Sequence, residues 1–127
     1  MAQILVIDDE QGIRETVRVA LERMGHEVIA HEDGRSGLAA LRKGSFDLVI
    51  TDLLMPETDG LEVLRAVMRE RHGLKVLVMS GGGNRIAAGQ GLQMAGALGA
   101  HAILHKPFKP SDLRAEVARL LGATPES

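Results

Sequence analysis

The chain has 127 residues, 45% of them hydrophobic, no cysteine, and a formal charge of −2 from 15 basic and 17 acidic side chains. That length fits one compact domain with one core, and the missing cysteines exclude disulfides, a catalytic thiol and cysteine-based zinc sites. The balanced charge leaves no footprint for direct nucleic-acid binding, the only aromatic residues are Phe46 and Phe108, and no apolar run approaches the roughly 20 residues that span a membrane.

At the amino end, "MAQILVIDDE" has neither the basic start nor the small-residue cleavage site of a secretory signal, so a soluble, cytoplasmic protein is expected. The run "QILVID" (3–8) is the first of five short apolar segments and leads straight into Asp8, Asp9 and Glu10. Three adjacent carboxylates repel unless something positive lies among them. Ile13, Val17, Ala20, Leu21 and Met24 then form one helical stripe that Gly25 ends. A second strand, "EVIAH" (27–31), closes in the turn-like "HEDG", and Leu38 and Leu41 mark the next helix. The third strand, "DLVIT" (47–51), runs into Asp52, and Leu61, Leu64 and Met68 repeat the helical spacing. "KVLVMS" (75–80) ends at Ser80 and "HAILH" (101–105) at Lys106, after which Pro110 opens a helix carrying Leu113, Val117, Leu120 and Leu121.

These strands do not alternate apolar and polar residues, which predicts a parallel sheet covered on both faces. Strand then helix, five times with short connections, predicts an α/β doubly wound sheet over residues 1–122, with 123–127 as a short tail. Ligands of such sheets bind beyond the carboxyl ends of the strands. Those ends carry Asp8, Asp9, Asp52, Ser80 and Lys106. Clustered carboxylates suit Mg²⁺ or Mn²⁺, and a nucleophilic carboxylate, a divalent ion, an ammonium and a hydroxyl together make a phosphoryl-transfer site. Each residue also has a plainer reading: the aspartates as caps or turn formers, Ser80 as a cap, Lys106-Pro107 as a bend. Their common address at strand ends favours the site.

The segments "VIDDE", "DLVITDLLMPETDG", Ser80 after "VLVM", "GAHAILHKPF" and the pair Gly99-Ala100 resemble the receiver domain of bacterial two-component response regulators over essentially the whole chain. The resemblance implies a flavodoxin-like sheet in the order 2-1-3-4-5 with five helices. It implies phosphoryl transfer to Asp52 from a phosphohistidine on a sensor histidine kinase or histidine phosphotransfer protein. Asp9 would bind the metal directly and Asp8 largely through water, alongside Asp52 and the backbone carbonyl of Leu54. Lys106 and the Ser80 hydroxyl would meet the phosphoryl group. Such a domain assists its own phosphorylation and hydrolysis, but its output is a change in binding to a downstream protein.

Two features depart from the family pattern. Ile103 stands three residues before Lys106, where an aromatic side chain often reports the switch, and also suits a buried strand. The segment from Ser80 to Ala100 is rich in glycine, so the helix expected there is marginal and its loop mobile; without a lysine after its last glycine it is no P-loop. No two of His26, His31, His72, His101 and His105 stand i, i+4 on a helix, which makes a zinc site improbable, and His105 is expected to face solvent. The competing readings are a phosphorylation-independent binding adaptor, opposed by the full residue set, and a Mg²⁺-dependent phosphohydrolase, for which no substrate-recognition cap is encoded.

Overall fold

Strands covered on both faces need two helical layers, and the chain supplies both. A computed structural model describes residues 2–52, 60–70, 73–80 and 99–122. In chain order the elements are β1 (Gln3–Ile7), α1 (Gln11–Arg23), β2 (Glu27–His31), α2 (Gly34–Lys43), β3 (Leu48–Asp52), α3 (Gly60–Glu70), β4 (Lys75–Ser80), β5 (Ala102–His105) and α4 (Pro110–Leu120). All strand pairs are parallel and the sheet order is β2-β1-β3-β4-β5, the flavodoxin-like arrangement. The further helix expected between β4 and β5, with its glycine-rich loop, lies outside the described residues, as does His72.

The uninterrupted apolar runs are explained by how each strand divides its side chains. Ile4 and Val6 join Leu48, Ile50, Leu77 and Met79 in a core beneath α1 and α4, where Val17, Leu21, Leu113 and Val117 are buried. Leu5 and Ile7 point the other way and join Val49, Val76 and Val78 beneath α2 and α3, against Leu41, Leu64 and Val67. Successive strand residues thus enter opposite cores, and each half of the period must be apolar. The helical stripes read from the sequence are the faces that meet these cores. Gly25, at φ +92°, ends α1 in the left-handed region that glycine adopts without strain.

Local chemistry sets the helix starts. Asp33, in the turn "HEDG", is the N-cap of α2 and accepts the Ser36 backbone N–H at 2.8 Å. Pro110 stands in the first turn of α4, where its missing N–H is no loss. In α2, Gly37 is required by packing: a Cβ there would overlap the Ile7 side chain, which is fully buried on the sheet below. Ile103 is half-buried and pairs in register with Val78, so it is less enclosed than a core strand residue.

The two histidines that precede the edge strands stitch the sheet together. His26, before β2, accepts the Ala2 N–H on Nδ1 at 3.0 Å, and His101, before β5, accepts the Val76 N–H on Nδ1 at 3.1 Å. An accepting nitrogen carries no proton, so both rings are neutral in these bonds. Desolvation lowers the pKa of both below the ordinary 6.5, helped at His101 by the nearby Lys75 cation. A depressed histidine pKa means stability that is present above 6.5 and lost as the pH falls through the lower folded value. Urea unfolding should therefore show stability declining from about pH 7 toward about pH 5. In His26→Asn/His101→Asn, whose amide oxygens accept without titrating, the decline should be shallower; an unchanged slope would contradict this role.

Candidate functional site

β1 delivers Asp8 to the carboxyl edge of the sheet one residue beyond its last ladder position, and four contacts fix it there. Its N–H donates to the His31 carbonyl at 3.1 Å, and its own carbonyl accepts from Arg14 Nη1 at 2.7 Å. Oδ1 accepts the Glu10 N–H at 2.8 Å and Oδ2 accepts from Lys106 Nζ at 2.8 Å. Asp8 is wholly buried, whereas Asp9 and Glu10 are exposed. The loop thus turns one carboxylate inward and leaves two facing solvent.

Asp52 closes β3 and is buried to 5% exposure. Ser80 closes β4, equally buried, opposite His105 in register. Lys106 follows β5; its N–H donates to the Ser80 carbonyl at 2.6 Å and its peptide bond to Pro107 is cis. β5 stands three positions from β1 in the sheet, roughly 14 Å at the usual strand spacing. With its backbone beside the end of β4, Lys106 spans the rest with its side chain: Nζ is 2.8 Å from Asp8 Oδ2, 3.4 Å from Asp52 Oδ2 and 3.8 Å from Glu10 Oε1. His105 faces solvent, as expected from its place at the strand end.

Burial alone would lower the Lys106 pKa, but the hydrogen bond to Asp8 and the charges of Asp52, Asp8 and Glu10 outweigh it, and the pKa is raised above 10.5. The ammonium persists at neutral pH, and its contribution is lost only as pH rises through that raised value. The carboxylate oxygens of Asp8, Asp9 and Glu10 gather within 4.8 Å of one another. Lys106, Arg14 and the amino end of α1 supply positive potential around them. A set of hard oxygen donors, two of them solvent-facing, fits a hydrated divalent cation.

The geometry unites Asp8, Asp9, Asp52, Ser80 and Lys106 at one edge, as their positions at strand ends require. Leu54 lies outside the described residues. Arg14 and Glu10 complete the surroundings: Glu10 stood in the acidic run from the start, whereas no spacing rule links an arginine in the first turns of a helix to a carbonyl six residues earlier.

A five-stranded parallel sheet of this order, with acids at its first and third strand ends and a lysine after its fifth, has the architecture of a receiver domain. The chain belongs to the response regulator receiver domain family, whose profile matches residues 4–118. It is 34% identical over 119 residues to the transcriptional regulatory protein ResD of Bacillus subtilis (strain 168), covering 94% of this chain and 48% of that protein. It is 35% identical over 122 residues to the DNA-binding transcriptional regulator NtrC of Azospirillum brasilense, covering 96% and 24%. The chain spans about half the length, or less, of such curated relatives. The crystal structure of the chemotaxis protein CheY4 of Vibrio cholerae superposes with a TM-score of 0.83 at 33% identity, covering 95% of this chain and 99% of that one. The receiver domain of NtrX from Brucella abortus gives 0.81 at 33%, with the same coverage. The chain is thus a receiver module of two-component signalling, and among the described residues no helix is long and apolar enough to cross a membrane.

Removing the ammonium should leave the Asp8 and Asp52 carboxylates buried without their shared cation. Lys106→Met is expected to destabilise the metal-free protein by about 2 to 4 kcal/mol, less than a fully buried broken pair because the Lys106 side chain keeps 10% of its surface exposed. Chemical denaturation should show the deficit shrinking as Mg²⁺ is added; a variant as stable as wild type would contradict the pairing.

Proposed function

We propose that Asp52 accepts a phosphoryl group from a phosphohistidine on a sensor histidine kinase or histidine phosphotransfer protein, and that the acyl phosphate changes which protein this domain binds. An Asp52 carboxylate oxygen attacks phosphorus as the bond from phosphorus to the donor imidazole nitrogen breaks. The observation that carries this reading is the single ammonium of Lys106 lying between Asp8 and Asp52, 2.8 and 3.4 Å from their oxygens. A cation already beside the nucleophile can turn from carboxylate to phosphoryl oxygen with a small movement. The buried Ser80 hydroxyl, at the adjoining strand end, is the donor for another phosphoryl oxygen.

Asp9 would hold Mg²⁺ or Mn²⁺ directly and Asp8 largely through water, with Asp52 and the Leu54 carbonyl as further ligands. When bound, the ion neutralises charge on the phosphoryl oxygens, where positioning and charge supply most of the catalysis. Asp8 is suited to the indirect role because both its oxygens already accept hydrogen bonds, while Asp9 faces solvent. The downstream partner is a protein that distinguishes the two phosphorylation states, and a cytoplasmic location follows from a kinase donor.

Intact-mass spectrometry after incubation with Mg²⁺ and a small acyl-phosphate donor tests the reading. Wild type should gain one phosphoryl group, and Asp52→Asn, or wild type with the metal chelated, should gain none. An equal gain in Asp52→Asn would overturn the assignment.

A further inference from the structure

A helix usually fixes its starting geometry through a capping side chain, and α1 does not. Its N-cap is Glu10, whose side chain makes no capping hydrogen bond and lies 3.8 Å from Lys106 instead. Of the four contacts that fix Asp8, the His31 carbonyl holds its N–H and Lys106 holds Oδ2, while two others bear on the turn into α1. One is local, the Glu10 N–H on Asp8 Oδ1, and an Asx turn of this kind fixes only the two residues it encloses. The other comes from outside the loop: Arg14, in the first turns of α1, reaches back so that Nη1 donates to the Asp8 carbonyl at 2.7 Å. The Arg14 N–H makes the first ordinary bond of the helix, to the Glu10 carbonyl at 3.1 Å, so the side chain that reaches Asp8 starts from a backbone fixed in α1.

We infer that Arg14 is a positioning residue for the divalent-cation site: by clamping the Asp8 carbonyl it orients the Asp8–Asp9 peptide, so that Asp8 points inward and Asp9 outward. This rests on the metal reading of the acidic cluster given above. Three adjacent carboxylates push one another apart, and although His31 and Lys106 would still hold the Asp8 N–H and Oδ2, loss of the Arg14 bond would free the Asp8 carbonyl and the peptide that carries Asp9. The charge of Arg14 acts against its geometry here, because a nearby guanidinium repels the incoming cation. The two effects therefore predict opposite signs. Loss of simple charge tightens metal binding, whereas loss of positioning weakens it; removing a group that orients a ligand typically weakens binding by tenfold or more.

Mn²⁺ alone, titrated into the full 127-residue chain and followed by the electron paramagnetic resonance of the free ion, separates them. Arg14→Met, which keeps the length and apolar stem without donor or charge, should bind Mn²⁺ about tenfold more weakly than wild type. Arg14→Lys, with one donor able to reach the carbonyl, should recover most of the difference. Equal or tighter binding by Arg14→Met, or equal losses in both variants, overturns the role of Arg14. A wild-type chain that takes up no Mn²⁺ overturns the cation site itself, a result that stands apart from either of those.

Discussion

One ammonium holds the carboxyl edge of this sheet together. Lys106 Nζ lies between a wholly buried Asp8 and a nearly buried Asp52, two like charges whose burial together would otherwise be prohibitive. The rest of the arrangement serves that contact. Parallel strands place their last residues along one edge, the order β2-β1-β3-β4-β5 sets β1 beside β3, and the lysine side chain reaches both acids from a backbone held beside Ser80 at the end of β4. A salt bridge of this kind contributes little net stability; its use is to keep charge in a place where apolar packing would be more favourable. That is the trade expected of a working site.

The two cores give the edge its rigidity. Because each strand sends alternate residues to opposite helical layers, the strands are fixed on both faces, and the loops that follow them inherit that fixity. Only the loop after β1 bears three consecutive acids, and there the chain adds the Asx turn of Asp8 and the reach of Arg14. The negative potential left over, concentrated in Asp9 and Glu10 at the solvent side, is what an entering divalent ion would meet. Such an edge suits the divalent cation and phosphoryl group proposed above.

The sequence made the sheet legible because two-sided burial leaves an unmistakable mark: runs such as "ILVI" and "VLVM" can be nothing but interior strands once helical stripes flank them. Asp8, Asp9, Asp52, Ser80 and Lys106 were legible for a related reason, each standing where an apolar run stops. What a sequence cannot carry is contact across distance. Nothing in the spacing of Asp8 and Lys106, 98 residues apart, says that they touch, and only the fold rule for strand ends joins them. The Arg14 clamp and the histidine stitches at the sheet edges were hidden for the same reason, since a side chain bonded to backbone leaves no pattern in residue type. The partial burial of Ile103 was not legible either, because propensity reports strand fitness and not enclosure.

The most direct test of the central contact is a crystal structure of the chain with Mg²⁺ and beryllofluoride, a phosphoryl mimic that forms on a nucleophilic carboxylate. The adduct is expected on Asp52, with Lys106 Nζ turned from Asp8 Oδ2 to a fluorine of the mimic. An adduct on any other residue, or a Lys106 that stays on Asp8 with the mimic bound to Asp52, would contradict this expectation.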